Sequence, residues 1–172
     1  MMDYTKLSAS EKEALIQKAA ESAFHYENTY GSCAQSCLGG LRDAFPELGI
    51  SEEIFKSSYG LAGGCGCSIK GTCGALSGAA MAISLIAGRD KSHMDDDFTS
   101  CYDKIKKVIA KFSEKFGVTC CEVQTATMGA CFDFMTEEGE AGYNAKNGDE
   151  NCSKAVSYAT QLVAEMIVSG EL

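Results

Sequence analysis

The sequence predicts an all-α fold: a single-domain bundle of about six helices over residues 1–172, arranged around a central small-residue helix at 72–88. Three observations predict it. Apolar side chains recur at steps of three and four in one segment after another. Residues that favour helix N-caps stand just ahead of those segments. No stretch of useful length alternates polar and apolar as a strand would.

Ser8 and Ser10 each precede a glutamate by three positions, the capping-box spacing. Leu15, Ile16, Ala19, Ala20, Ala23 and Phe24 then form a helical stripe, so the first helix runs to about Tyr30, with His25 beside the stripe as a partly exposed residue. Ser32-Cys33-Ala34-Gln35 reads as another capping box, opening a helix with Cys33, Cys37 and Leu41 on one face. Phe45-Pro46 ends it, because a residue before proline avoids helical angles. Ser51 opens a short helix to about Tyr59.

From Gly60 to Gly78 the chain holds seven glycines and three of its ten cysteines. This reads as a glycine-rich loop feeding a thin, buried helix, with Thr72 as N-cap and Gly88 as the glycine past its end. The polar stretch 89–97, with His93 and Asp95 to Asp97, is a connector expected to cap the next helix. There Cys101, Ile105, Val108, Phe112 and Phe116 step along one face, and Gly117 stops them. Thr119-Cys120-Cys121-Glu122 is a further capping box, for a helix to about Met128. Residues 132–150 are acidic and aperiodic and read mainly as loop, with room for a short helical turn. Asn151 is expected to cap a last helix with Cys152, Val156, Ala159, Val163 and Ile167 inward.

The net charge of −9 argues against nucleic acid and anionic membrane surfaces as partners. The first residues carry no apolar run of a signal peptide, which predicts the cytoplasm. In a reducing compartment, ten cysteines point to metal binding or thiol redox chemistry rather than a disulfide framework. With only two histidines, His25 and His93, a metal site would be built mainly from sulfur.

The cysteines follow a rule of placement. Cys33, Cys73, Cys101, Cys120 and Cys152 each stand directly after a residue that favours an N-cap. Sulfurs in the first turns of several helices would face free N–H donors and the positive ends of helix dipoles, which stabilise anionic thiolates. Cys65-Gly66-Cys67 is too tight for a relaxed disulfide and could offer two thiolates to one metal or to neighbouring metals. Vicinal Cys120 and Cys121 point their sulfurs in different directions. Cys37 and Cys131 read as core or loop residues. No Cys-x-x-Cys pair occurs, so neither a thioredoxin motif, a zinc ribbon nor covalent haem is supported.

The chain resembles the C-GCAxxG-C-C family of redox-active proteins. The resemblance rests on Cys33-Ala34-Gln35, the lead-in Gly60 to Gly64, Cys73-Gly74-Ala75-Leu76-Ser77-Gly78, Phe116-Gly117-Val118-Thr119-Cys120-Cys121 and Cys152, in that order. It implies four marker cysteines: Cys33, Cys73, Cys121 and Cys152. Alignment from the Phe-Gly pair favours Cys121 as the third; the capping argument favours Cys120. Through a likeness to the cluster-bearing part of split-Soret cytochromes, it also implies an iron–sulfur cluster and a homodimer.

The leading expectation is therefore an iron–sulfur redox protein serving an unidentified redox partner. Its cluster would be held by Cys73 with some of Cys33, Cys65, Cys67, Cys121 and Cys152, with Cys120 as the alternative to Cys121. A metal-free thiol–disulfide enzyme or redox sensor is the second reading, and a structural zinc or buried-thiol protein the third.

Overall fold

The structure, a computed structural model, describes residues 3–96 and 98–172. Among these there are eight α-helices and no strand: α1 (Ala9–Tyr30), α2 (Cys33–Ala44), α3 (Glu52–Ser57), α4 (Gly74–Ala87), α5 (Thr99–Phe116), α6 (Cys120–Met128), α7 (Glu137–Ala145) and α8 (Gly148–Ser169). The long helices α1 and α8 pack along each other and against α2. The small-residue helix α4 lies against α2, α5 and α8, so it shares the centre of the bundle with α8.

Several local predictions are met for the expected physical reason. Ser8 accepts from the Glu11 N–H while Glu11 reaches back to the Ser8 N–H, closing a capping box at α1. Thr119 and Glu122 do the same at α6. Ser51 caps α3 by accepting from the Ile54 N–H. The Cys101, Val108 and Phe112 face of α5 is buried, and Gly117 (φ 79°) ends that helix.

Close helix approach explains two glycines. A Cβ at Gly78 would lie 2.7 Å from the Ala34 carbonyl oxygen and 2.9 Å from Cys37 Cβ, so α4 and α2 meet almost backbone to backbone. Gly40 of α2 sits equally close to Ala19 and Ala23 of α1. The α1 stripe of alanines exists to receive it.

Other expectations are corrected. Ser32 takes a left-handed conformation (φ 67°) and makes no capping bond; Gln35 instead donates to the Phe55 carbonyl, so no capping box opens α2. Cys73, not Thr72, is the N-cap of α4, because Thr72 is drawn into an antiparallel bridge with Thr119. Gly88 is extended (ψ 167°) rather than left-handed; a side chain there would collide with the Ser84 carbonyl. Phe98 occupies the N-cap of α5, and of the aspartates expected to cap it, Asp97 lies outside the described residues. The stretch read as loop contains α7, capped by Thr136. α8 begins at Gly148, behind Asn147, so Asn151 and Cys152 already lie within it.

Candidate functional site

The loop between α3 and α4 is the most unusual backbone in the chain. Gly63, Gly64, Cys65, Gly66 and Cys67 all have positive φ (59°, 77°, 69°, 58° and 55°), and Ile69 follows at 57°. Left-handed conformation is normally visited singly, and for a β-branched residue such as Ile69 it is a genuine outlier. The three glycines make the turn possible. Long-reaching backbone bonds close it, with Gly66 N–H donating to Gly60 (2.7 Å) and Ile69 N–H to Gly63 (2.8 Å). Such strain persists only when the surroundings enforce it, and it gathers at functional sites.

The loop is tied to the start of α6. Cys73 N–H donates to the Val118 carbonyl, Cys120 N–H to Gly71 and Cys121 N–H to Ile69, at 2.9, 3.0 and 3.0 Å. These bonds set the first turn of α6 beside that of α4. Packing of Gly74 and Gly78 on α2 adds a third helix start, because a Cβ at Gly74 would strike Cys33 Sγ. The N-termini of α2, α4 and α6 thereby meet around a cavity of ≈330 Å³.

Five cysteines line this cavity: Cys33, Cys67, Cys73, Cys120 and Cys152. Cys33 is the first residue of α2, Cys73 the N-cap of α4 and Cys120 the first residue of α6, so three of the five sit at helix starts as predicted. Cys152 reaches the cavity from the second turn of α8. Cys101 lies apart, its Sγ 3.9 Å from Ser84 Oγ between α5 and α4, and Cys37 is wholly buried in the core.

The structure divides both pairs of neighbouring cysteines. Cys65 is exposed and does not line the cavity, whereas Cys67 does, so the Cys-Gly-Cys pair does not present two thiolates to one site. At the vicinal pair the helix can aim only one sulfur inward. Cys120 faces the cavity, while Cys121 is joined to Cys131 in a disulfide on the other side. Cys131 is a loop residue, as expected, and the bridge to Cys121 is an addition that spacing did not suggest.

Electrostatics distinguish the sulfurs. The Cys33 thiol is pulled down to about 7 by a hydrogen bond from Cys73 and by the backbone N–H groups of Gly63, Gly74 and Ala34, against the cost of burial. Cys73, which gives that bond, is pushed up by it and by burial. Burial raises Cys120 to about 11, and Cys152 to about 12 although Tyr143 hydrogen-bonds to it. Cys33 is therefore the prepared thiolate, and the others charge only with a positive partner.

Sequence reasoning missed two wall residues. Glu27 is 8 % exposed and its carboxyl is pushed up to about 8, chiefly by burial, with Cys33 adding to the effect. Ser36 Oγ donates to it at 3.0 Å. A signal existed: Glu27 continues the Ala19 and Ala23 stripe at the same four-residue step. Tyr143, raised by burial and by Cys152, sits on α7, where no more than a short helical turn was anticipated. Ser32 Oγ is buried at the cavity wall without a hydrogen-bond partner.

The donor set fits a thiophilic inorganic group. It offers five thiols, one already near its charged form, and backbone donors on the same sulfur. A hydroxyl left without a partner adds a further polar contact. The described residues contain no group of three His, Cys, Asp or Glu side chains gathered tightly enough for a single metal ion.

A family model described as "Putative redox-active protein (C_GCAxxG_C_C)" matches residues 31–166. No curated protein and no solved structure matches the chain. The matched span begins at the turn before Cys33 and takes in every cysteine of the cavity. The chain belongs to this family of redox-active proteins.

Proposed function

We propose that the chain is an iron–sulfur redox protein whose cluster is held in the ≈330 Å³ cavity by Cys33, Cys73, Cys120 and Cys152, with Cys67 as a fifth donor within reach. One observation carries this reading: five sulfurs from distant parts of the sequence line one cavity where three helix starts meet. When bound, the cluster would supply one-electron redox chemistry. The chain's own residues supply the rest. Positive helix ends and the N–H groups of Gly63, Gly74 and Ala34 offset negative charge at Cys33, which raises a reduction potential. Val123, Ala155, Val156 and Phe134 exclude water from the walls. Glu27, its carboxyl pushed up to about 8 by burial, sets a proton-holding group in the cavity wall. The protein would work in the cytoplasm, as a homodimer, with a redox partner that its sequence does not name.

Anaerobic purification with iron and acid-labile sulfide analysis tests the proposal. The expected result is a coloured protein with both present and an EPR signal on reduction. A colourless chain lacking iron and sulfide even after reconstitution would refute it. The second reading, metal-free thiol–disulfide chemistry, is favoured by the Cys33–Cys73 hydrogen bond, since an activated thiolate beside a second thiol is the arrangement such enzymes use. Reversible loss of those two thiols in an iron-free protein would establish it.

A further inference from the structure

We propose that the Cys121–Cys131 disulfide is a latch on the cover of the sulfur-lined cavity, opened and closed by exchange with an external dithiol. Cys120 and Cys121 are adjacent in the first turn of α6. One sulfur lies on the cavity; the next is bonded to Cys131, ten residues along. The remaining eight cysteines are free. Both halves of the bridge are only partly buried.

The bridge anchors a segment that matters to the cavity. After Gly129 ends α6 in a left-handed turn, residues 130–136 run without helix to the Thr136 cap of α7. Phe132 packs where only Gly142 of α7 leaves room. Phe134 lies against Gly63 and against Tyr143, with ring centroids 5.4 Å apart, and forms part of the cavity wall. The disulfide is the covalent tie between this cover and the first turn of α6.

A second, non-covalent tie decides what opening does. The wholly buried side chain of Gln124 donates to the Phe132 carbonyl at 3.1 Å and accepts from the Phe132 N–H at 2.8 Å. The same amide nitrogen lies 3.6 Å from Cys120 Sγ. Opening the bridge therefore loosens the cover without releasing it, and movement of the cover is felt at a cavity sulfur.

The exchange balances. A thiolate of the external dithiol attacks one sulfur, breaking the Cys121–Cys131 bond and forming a mixed disulfide. Its second thiolate breaks that bond and closes its own disulfide. Two electrons pass to the chain, and the two protons of the dithiol end on Cys121 and Cys131.

The test uses the full chain after chelation, so that no bound metal protects the cavity thiols. It is equilibrated in mixtures of reduced and oxidised dithiothreitol, and differential alkylation is read by peptide mass spectrometry. The expected result is a Cys121–Cys131 bridge that opens reversibly while far-UV circular dichroism is unchanged. Alkylation of Cys67 and Cys152 should then rise on the order of tenfold. Cys131→Ser should give the same rise without reductant. A pair that never bridges, a bridge that opens only with unfolding, or a Cys131→Ser variant labelled at the rate of the bridged chain would overturn the latch. A chain that holds no iron yet shows the rise keeps the latch and loses the cluster; an iron-loaded chain with both residues always thiols does the reverse.

Discussion

The two ends of α8 lie in opposite chemistries. From Ala159 to Val168 the helix presents buried small and branched residues, among them Ala159, Val163 and Ile167, to α1, α2 and α4. At Cys152, two turns earlier, it enters a cavity walled by thiols, a carboxyl whose pKa burial raises and a loop of left-handed backbone. The body is held by shape, so its free energy is spread over many contacts. The site is held by a few conformations and hydrogen bonds imposed on it. Damage to the body should appear as lost stability, and damage to the site as lost function with the fold intact.

The largest expected effect is in the body. Leu38 is fully buried on α2, and Leu38→Ala should cost about 2–5 kcal/mol. For a chain of this size that lowers Tm by roughly 5–15 °C. Differential scanning calorimetry measures it, and iron content per folded molecule should not change.

Gly74→Ala stands on the boundary. The added methyl meets Cys33 Sγ and lies 3.1 Å from the Leu61 carbonyl oxygen, so α4 must shift or Cys33 must turn away. A cost of about 1–3 kcal/mol is expected, together with a slower reaction of Cys33 with iodoacetamide at pH 7, because the shift breaks the bonds that lower its pKa. Loss of stability with Cys33 reactivity unchanged would mean that the site is less dependent on this contact than the comparison holds.

Glu27 tests the comparison through pH. Its folded pKa is raised from 4.5 to about 8, so between those values the folded chain keeps a proton that the unfolded chain has lost. Stability contributed by this group therefore falls as pH rises through that window, by a few kcal/mol at most. Glu27→Gln should remove the decline. Urea unfolding of the metal-free chain at several pH values should show the variant gaining on the parent from about pH 5 to pH 8. A constant difference would contradict the burial assigned to this carboxyl.

The smallest effect belongs to Cys65. It is exposed, lies outside the cavity and has φ 69°, so Cys65→Gly should relieve strain and stabilise by up to about 1 kcal/mol. Metal loading should be untouched. A large loss of iron would bring Cys65 back among the ligands.

The body was legible in the sequence because its rules are local. Alternation of three and four residues in α1, α5 and α8, and capping boxes at Ser8 and Thr119, depend on neighbours a turn away. The placement of Cys33, Cys73 and Cys120 at helix starts was legible for the same reason. What failed depended on distant partners. Ser32 does not cap α2, because the turn from α1 forces it left-handed. Thr72 does not cap α4, because it is held in a bridge with Thr119. α7 was hidden because its sequence is acidic and glycine-bearing, and its stability comes from Phe132 and Phe134 packing on it. The choice between Cys120 and Cys121 could not be read from spacing, since it turns on which side of α6 the loop 69–73 is attached.

That choice supplies the most direct measurement of the central claim. Cys120→Ser and Cys121→Ser differ by one position in one helical turn, yet only Cys120 lines the cavity. Purified anaerobically side by side, the Cys121→Ser chain should hold as much iron and acid-labile sulfide as the parent. The Cys120→Ser chain should lose most of both. Full loading of the Cys120 variant with an empty Cys121 variant would contradict the account and place the inorganic centre outside this cavity.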